Sequence, residues 1–195
     1  MSPYFLRAAT GPAQFPRGTL PEVAVAGRSN VGKSSLINTL LGCRDLAKTS
    51  RTPGRTQAIV FFSVDDRWLL VDLPGYGYAK VPEAVRRQWR PLVEAYLAGR
   101  ETLRLLLLLI DIRRDVGEEE RDLVSWLSHR GIPWLPVLTK ADKLSRSRAL
   151  TRRRELMGQL PEGGAGEPVL FSARTGEGKK KLGDTIPIFL QNKAQ

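Results

Sequence analysis

The sequence predicts a single α/β domain of three layers. A mostly parallel sheet of about six strands, one of them antiparallel at the edge, carries helices on both faces. Three observations lead there. Short apolar runs alternate with longer amphipathic or basic stretches. The run Leu103–Asp111 is apolar almost throughout, the pattern of a parallel strand covered on both faces. Between an early strand and a helix lies Gly27-Arg28-Ser29-Asn30-Val31-Gly32-Lys33-Ser34, which fits G-x-x-x-x-G-K-[ST]. The 195 residues suffice for one such domain with a sizeable core and are too few for two ordinary ones. The expected division is an irregular N-terminal arm over residues 1–20 and a single domain over 21–195.

Composition narrows the partners. A formal net charge of +11 points to a polyanion, either nucleic acid or an acidic membrane surface. The one cysteine, Cys43, excludes an internal disulfide and fits a reducing cytosol; it reads as a small buried or helix-end residue. Met1–Arg7 lacks a basic segment followed by an apolar one, so no signal peptide is expected. The longest apolar run, Leu105–Ile110, falls far short of the ~20 residues that span a bilayer. A cytoplasmic protein is expected.

The elements follow in order. Residues 1–20 hold Pro3, Gly11, Pro12, Pro16 and Gly18 and read as irregular, with Tyr4, Phe5 and Leu6 as anchors. Glu22–Ala26 is a buried strand, and Ser35–Leu41 opens a helix. The turn between them aims backbone N–H groups and a helix N-terminus at one point, which suits a polyphosphate. Lys33 would reach the β- and γ-phosphates and the Ser34 hydroxyl would ligate Mg²⁺. Cys43–Gln57 has no apolar periodicity and holds Lys48, Arg51 and Arg55. A loop of this length beside a phosphate site reads as a switch, with the Thr56 hydroxyl and N–H meeting Mg²⁺ and the γ-phosphate.

Ala58–Val64 and Arg67–Asp72 form an antiparallel hairpin across Asp65-Asp66. The second strand ends in Asp72-Leu73-Pro74-Gly75, a D-x-x-G motif. A carboxylate at a buried strand end needs a partner, and beside a phosphate loop that partner is the Mg²⁺ shell. Gly75, without a Cβ, lets its N–H approach the γ-phosphate. Tyr76 stands where many GTPases carry a water-orienting glutamine, so intrinsic hydrolysis is expected to be slow, or the water to be positioned by another group. Tyr76 and Tyr78 have a second reading, as packing groups against the neighbouring helix.

Pro82–Ala98 is helical, with Val85, Trp89, Leu92, Val93, Tyr96 and Leu97 inward and Arg86, Arg87 and Arg90 outward. That basic face is either simply solvated or a polyanion contact. Glu118–Arg130 is a helix whose terminal His129 reads as a dipole or solvent-facing residue. The strand Ile132–Leu138 runs into Thr139-Lys140-Ala141-Asp142. A carboxylate at Asp142 can accept from guanine N1–H and the 2-amino group, a donor pair adenine lacks, and the Lys140 stem would lie along the base. Ser145–Leu160 is a basic helix bearing Arg146, Arg148, Arg152, Arg153 and Arg154. Pro168–Phe171 is a last strand, after which the Ala173 N–H could meet guanine O6. Glu177–Leu190 closes the chain, starting with Lys179-Lys180-Lys181.

These motifs together resemble one family. G-R-S-N-V-G-K-S, R-T-P-G-R-T-Q, D-L-P-G-Y-G-Y-A-K-V, T-K-A-D and F-S-A look like the EngB/YsxC-type bacterial GTP-binding proteins, of the TrmE-Era-EngA-EngB-Septin-like class of P-loop GTPases. The likeness covers about residues 20–190. It implies the P-loop NTPase fold of a Ras-like G domain, Mg²⁺-dependent binding of GTP and GDP, and slow hydrolysis. It also implies a role in large ribosomal subunit assembly and a requirement in cell division and septation. Nucleotide contacts carry over to Gly27, Arg28, Ser29, Asn30, Val31, Gly32, Lys33 and Ser34; to Gly54, Arg55, Thr56, Gln57 and Ala58; to Asp72, Leu73, Pro74 and Gly75; to Thr139, Lys140, Ala141 and Asp142; and to Phe171, Ser172 and Ala173. Mg²⁺ ligands fall on Ser34 and Thr56, and the catalytic assignments are Lys33, Thr56 and Gly75. Asn30 matches an asparagine that helps hold K⁺ in related GTPases. Val60 replaces a family asparagine, and Thr139 replaces the asparagine of GTPases at large, where a hydroxyl can still tie this loop to the P-loop.

Three functional readings follow. One is a GTP-controlled assembly factor, expected as a monomer, that grips ribosomal RNA through Arg86, Arg87, Arg146, Arg152–Arg154 and Lys179–Lys181 and reads no DNA sequence. Another is a switch acting on division proteins or an acidic membrane. The last is a small-molecule kinase, which lacks a visible acceptor site and which competition between GTP and ATP would test.

Overall fold

The computed structural model describes residues 2–47, 58–76 and 83–191, with the side chains of 83–90 outside that description. Seven strands form one sheet: β1 Pro3–Ala9, β2 Glu22–Gly27, β3 Ile59–Val64, β4 Trp68–Asp72, β5 Leu103–Asp111, β6 Trp134–Thr139 and β7 Val169–Leu170. Five helices accompany them: α1 Lys33–Leu41, α2 Glu83–Gly99, α3 Glu118–His129, α4 Arg146–Met157 and α5 Lys179–Gln191. The strand order is β1-β3-β4-β2-β5-β6-β7.

The α/β, three-layer, mostly parallel architecture is the expected one, with two corrections. The sheet has seven strands rather than about six, because the N-terminal arm is not irregular: Pro3–Ala9 pairs antiparallel with β3. Pro3 is tolerated as the first residue of an edge strand, and the turn-forming cluster begins only at Gly11. The pattern hid this strand because its residues are mostly exposed on both sides, so no alternation marks it. The second correction concerns the reversed strand. It is β3, antiparallel to both β1 and β4, and it lies one place in from the edge.

Alternation along the central strands divides the core into two layers. In β5, Leu106, Leu108 and Ile110 join one cluster with Leu92, Tyr96 and Leu97 of α2, Val124 and Leu127 of α3, and Ala149 and Leu156 of α4. Leu105, Leu107 and Leu109 join the other, with Leu36, Ile37 and Leu40 of α1 and Leu182 and Ile186 of α5. A strand buried on both faces must be apolar at every position, which is why its sequence shows no period of two.

A buried polar cluster holds the opposite end of the sheet. Glu22 is wholly buried at the start of β2, and its carboxylate accepts from Tyr96 Oη at 2.7 Å, Thr102 Oγ1 at 3.0 Å and the Arg100 guanidinium. Arg100 also donates to the Pro16 carbonyl at 3.0 Å, so the network clamps the N-terminal arm and the end of α2 onto β2. No helix among the described residues is long and apolar enough to cross a membrane.

Candidate functional site

The motifs meet at the carboxyl ends of β2, β4, β5 and β6. Gly32 caps α1 in the left-handed region, with φ of 112°, a conformation that favours glycine. Its neighbour Lys33 is half-buried at the first helical position, and burial lowers the Lys33 pKa, partly countered by Asp72. Asp72, buried at the end of β4, has its carboxyl pKa raised to about 6 by burial, with the Lys33 charge opposing. Asp72 Oδ1 is buried without a hydrogen-bond partner. A desolvated carboxylate oxygen with an open lone pair, beside a phosphate-loop lysine, suits the water shell of a divalent cation.

The D-x-x-G segment lies directly on the P-loop. Ser29 N donates to Tyr76 O at 2.8 Å, and Arg28 and Tyr76 form a parallel bridge. A Cβ on Gly75 would sit 2.8 Å from Lys33 Nζ and 3.2 Å from Ser29 Cα, so any larger residue would have to displace the lysine head and crowd the P-loop backbone. The Tyr76 side chain packs against the α2–α3–α4 cluster, with its hydroxyl buried and unpartnered. Of the two readings of Tyr76, the packing one describes its position. Burial drives its phenol pKa well above the usual value, and Glu120 and Glu119 push the same way.

The loops after β6 and β7 are knitted to the P-loop and to each other. Thr139 Oγ1 donates to Val31 O at 2.7 Å, so the hydroxyl does tie this loop to the P-loop in place of asparagine. Lys140, itself left-handed at φ 61°, donates from Nζ to Asn30 O at 2.8 Å. Ala141 N donates to Phe171 O at 3.1 Å. Buried Ser172 donates from Oγ to Asp142 Oδ1 at 2.8 Å and accepts from the N–H groups of Arg174 and Thr175 at 3.2 Å. The Ser172 hydroxyl, followed by the Lys143 charge, holds the Asp142 carboxyl below its ordinary range. Ala173 is exposed beside it. Asp142 is thus fixed and ionised, as an acceptor for two N–H donors must be.

Other assignments fall elsewhere. Gly54, Arg55, Thr56 and Gln57 lie outside the described residues, as do Tyr78 and the side chains of Val85, Arg86, Arg87, Trp89 and Arg90; Ala58 immediately precedes β3. Arg152 is not a free surface cation. Its side chain is 12% exposed and bound to the Ile112 and Arg114 carbonyls, Asp115 and Glu155. Lys180 pairs with Asp184 at 2.6 Å but stays exposed. His129 is exposed, as expected for a helix end. One residue was missed: Asp111, at the end of β5, binds Lys140 at 2.9 Å. Its signal was available, since it too is a carboxylate closing a buried strand.

A family of 50S ribosome-binding GTPases matches residues 22–140. A protein of Syntrophus aciditrophicus (strain SB), described as a probable GTP-binding protein EngB, is 53% identical over 93% of this chain and 92% of its own length. A protein of Citrifermentans bemidjiense with the same description is 47% identical, over 95% of this chain and 86% of its own. A crystal structure of a probable GTP-binding protein engB shares the fold with a TM-score of 0.67 at 22% identity, covering 87% of this chain and 98% of that one.

Proposed function

The chain belongs to the EngB family of GTP-hydrolysing proteins, and from that premise we propose that it is an Mg²⁺-dependent GTP switch acting in assembly of the large ribosomal subunit. The observation that carries the switch is the meeting of three loops on one rim: Gly75 against Lys33, Thr139 on Val31, and Ser172 on Asp142. The N–H groups at the start of α1, with Lys33, hold the β- and γ-phosphates. Ser34 and Thr56 would hold Mg²⁺, and Asp72 would act on it through bound water. When bound, the metal neutralises charge on the phosphate oxygens. Asp142 takes guanine N1–H and the 2-amino group, and against adenine it would be left unpaired.

Lys33, Thr56 and Gly75 act at the γ-phosphate. Gly75 lies against Lys33 Nζ and the Tyr76 carbonyl takes the Ser29 N–H, so a γ-phosphate at Lys33 would bear directly on this segment. That couples phosphate occupancy to the loop after β4. Tyr76 offers no side-chain amide to orient water, and its hydroxyl is buried, so intrinsic hydrolysis is slow. Asn30 contributes to a K⁺ site, and equal rates in K⁺ and Na⁺ would remove that assignment.

The partner is ribosomal RNA. The family's description and the +11 charge support it, as do Arg146 and Arg154, exposed on α4 without ion-pair partners among the described residues. The protein works as a cytoplasmic monomer, and its requirement in division and septation follows from poor ribosome assembly. Co-sedimentation with large ribosomal subunits, in GDP or a non-hydrolysable GTP analogue across a salt series, tests this. Tighter binding with the analogue, falling steeply with salt, is expected. Equal or absent binding in both states would move the target to a division protein or a membrane.

A further inference from the structure

We propose that Asp111, gripped by Arg113, is a positioning residue for guanine binding: it holds the Lys140 ammonium so that the lysine stem stays in place along the base. The inference rests on the assignment of Thr139–Asp142 to the base end of the nucleotide.

Asp111 is 6% exposed at the end of β5, in register with Thr139 of β6. Its carboxylate cannot swing. Arg113 donates from Nε to Oδ1 at 2.9 Å, from Nη2 to Oδ2 at 2.7 Å, and from its backbone N to Oδ1 at 3.2 Å. The same Oδ2 lies 2.9 Å from Lys140 Nζ, which also donates to the Asn30 carbonyl at 2.8 Å. The ammonium is therefore pinned at two points, one on β5 and one on the P-loop. The backbones beneath are tied as well: Ile112 N donates to Thr139 O at 3.1 Å, and Thr139 Oγ1 approaches Ile110 O at 3.3 Å.

A lysine side chain is long and loses much rotamer freedom when fixed. Ordering it before the base arrives lowers what binding must supply. With the Asn30 carbonyl alone, one neutral acceptor would restrain the head, and the stem would sample other rotamers. The bidentate Arg113–Asp111 pair matches the geometry used to hold a carboxylate rigidly. Arg113 is about half exposed and closes no core, so orienting Asp111 is the work its contacts describe.

The experiment is a double-mutant cycle on the full chain, with GDP and GTP affinities and release rates read by fluorescent-nucleotide binding. Asp111→Asn keeps the shape and removes the charge. It should weaken GDP and GTP by the same factor, about five- to tenfold, mainly through faster release. In a Lys140→Met background it should change nothing further, because the group it acts through is gone. Arg113→Gln, at a site tolerant of change, should give a smaller loss of the same kind, and serves if Asp111→Asn fails to fold. Additive losses in the cycle, a loss confined to GTP, or unchanged affinity on Asp111→Asn with Lys140→Met still weak would each overturn the proposal alone. If Lys140→Met itself leaves GDP affinity unchanged, the base-end assignment fails and takes the proposal with it.

Discussion

At the scale of single residues, the site is poised by groups held away from their ordinary ionisation. Asp72 binds its proton more tightly in the folded protein than in the unfolded chain, because burial disfavours the anion. Its contribution to stability is therefore present at low pH and is lost as pH rises through about 6. Nucleotide-free protein should gain about 1 kcal/mol from this residue between pH 7 and pH 5. Urea unfolding of the wild type and Asp72→Asn across that range checks it; parallel pH profiles would refute it. Ser172 makes the opposite kind of case. It is wholly buried, holds Asp142 and accepts two N–H groups. Ser172→Ala should cost about 1–3 kcal/mol of stability and about tenfold in GDP affinity, with both visible in one titration followed by thermal unfolding. Loss of stability with full affinity would mean the hydroxyl serves only the loop.

At the scale of elements, β1 and the end of α2 do work that lies far from the motifs. Breaking a buried ion pair from one side leaves an uncompensated charge, so Arg100→Met should destabilise by about 3 kcal/mol. GTP turnover per folded molecule should stay unchanged, since Glu22 lies at the opposite end of β2 from the P-loop. Chemical unfolding beside a hydrolysis assay separates the two effects. Removal of residues 1–9 would bare the outer edge of β3 and the face of Phe62 that Phe5 covers. The shortened protein should aggregate at concentrations where the full chain stays dispersed, measurable by light scattering, while retaining GDP binding. On α4, Arg152 and Arg154 stand two residues apart in sequence yet differ in use. One is spent on internal carbonyls and carboxylates, and the other is exposed with no ion pair among the described residues.

At the scale of the whole molecule, the sheet gathers distant loops on one rim, and its opposite end is closed by the Glu22 cluster. If RNA is gripped by the free cations, Arg154→Glu should weaken large-subunit binding and flatten its salt slope, and Arg152→Met should instead lower stability. Much of this was legible in the sequence. The P-loop, D-x-x-G and T-K-x-D are local patterns that spacing and their order along the chain made readable together, and the short S-A element was readable only in their company. The apolar run of β5 announced a strand buried on both faces, for burial acts on each residue separately. The remaining features depend on neighbours brought from afar. An exposed edge strand such as β1 has no period to betray it, because its stabilisation comes from pairing with β3. Charge pairing is equally non-local: nothing in the order of residues says that Arg152 is consumed by Asp115, that Glu22 meets Arg100, or that Asp111 reaches Lys140. Fold class and the motifs of the rim are written in the order of residues; the packing of the sheet fixes which charges are spent on structure, as Arg152 and Glu22 are. Spacing encodes local geometry, whereas a charge is satisfied only by whatever the fold sets within hydrogen-bond reach.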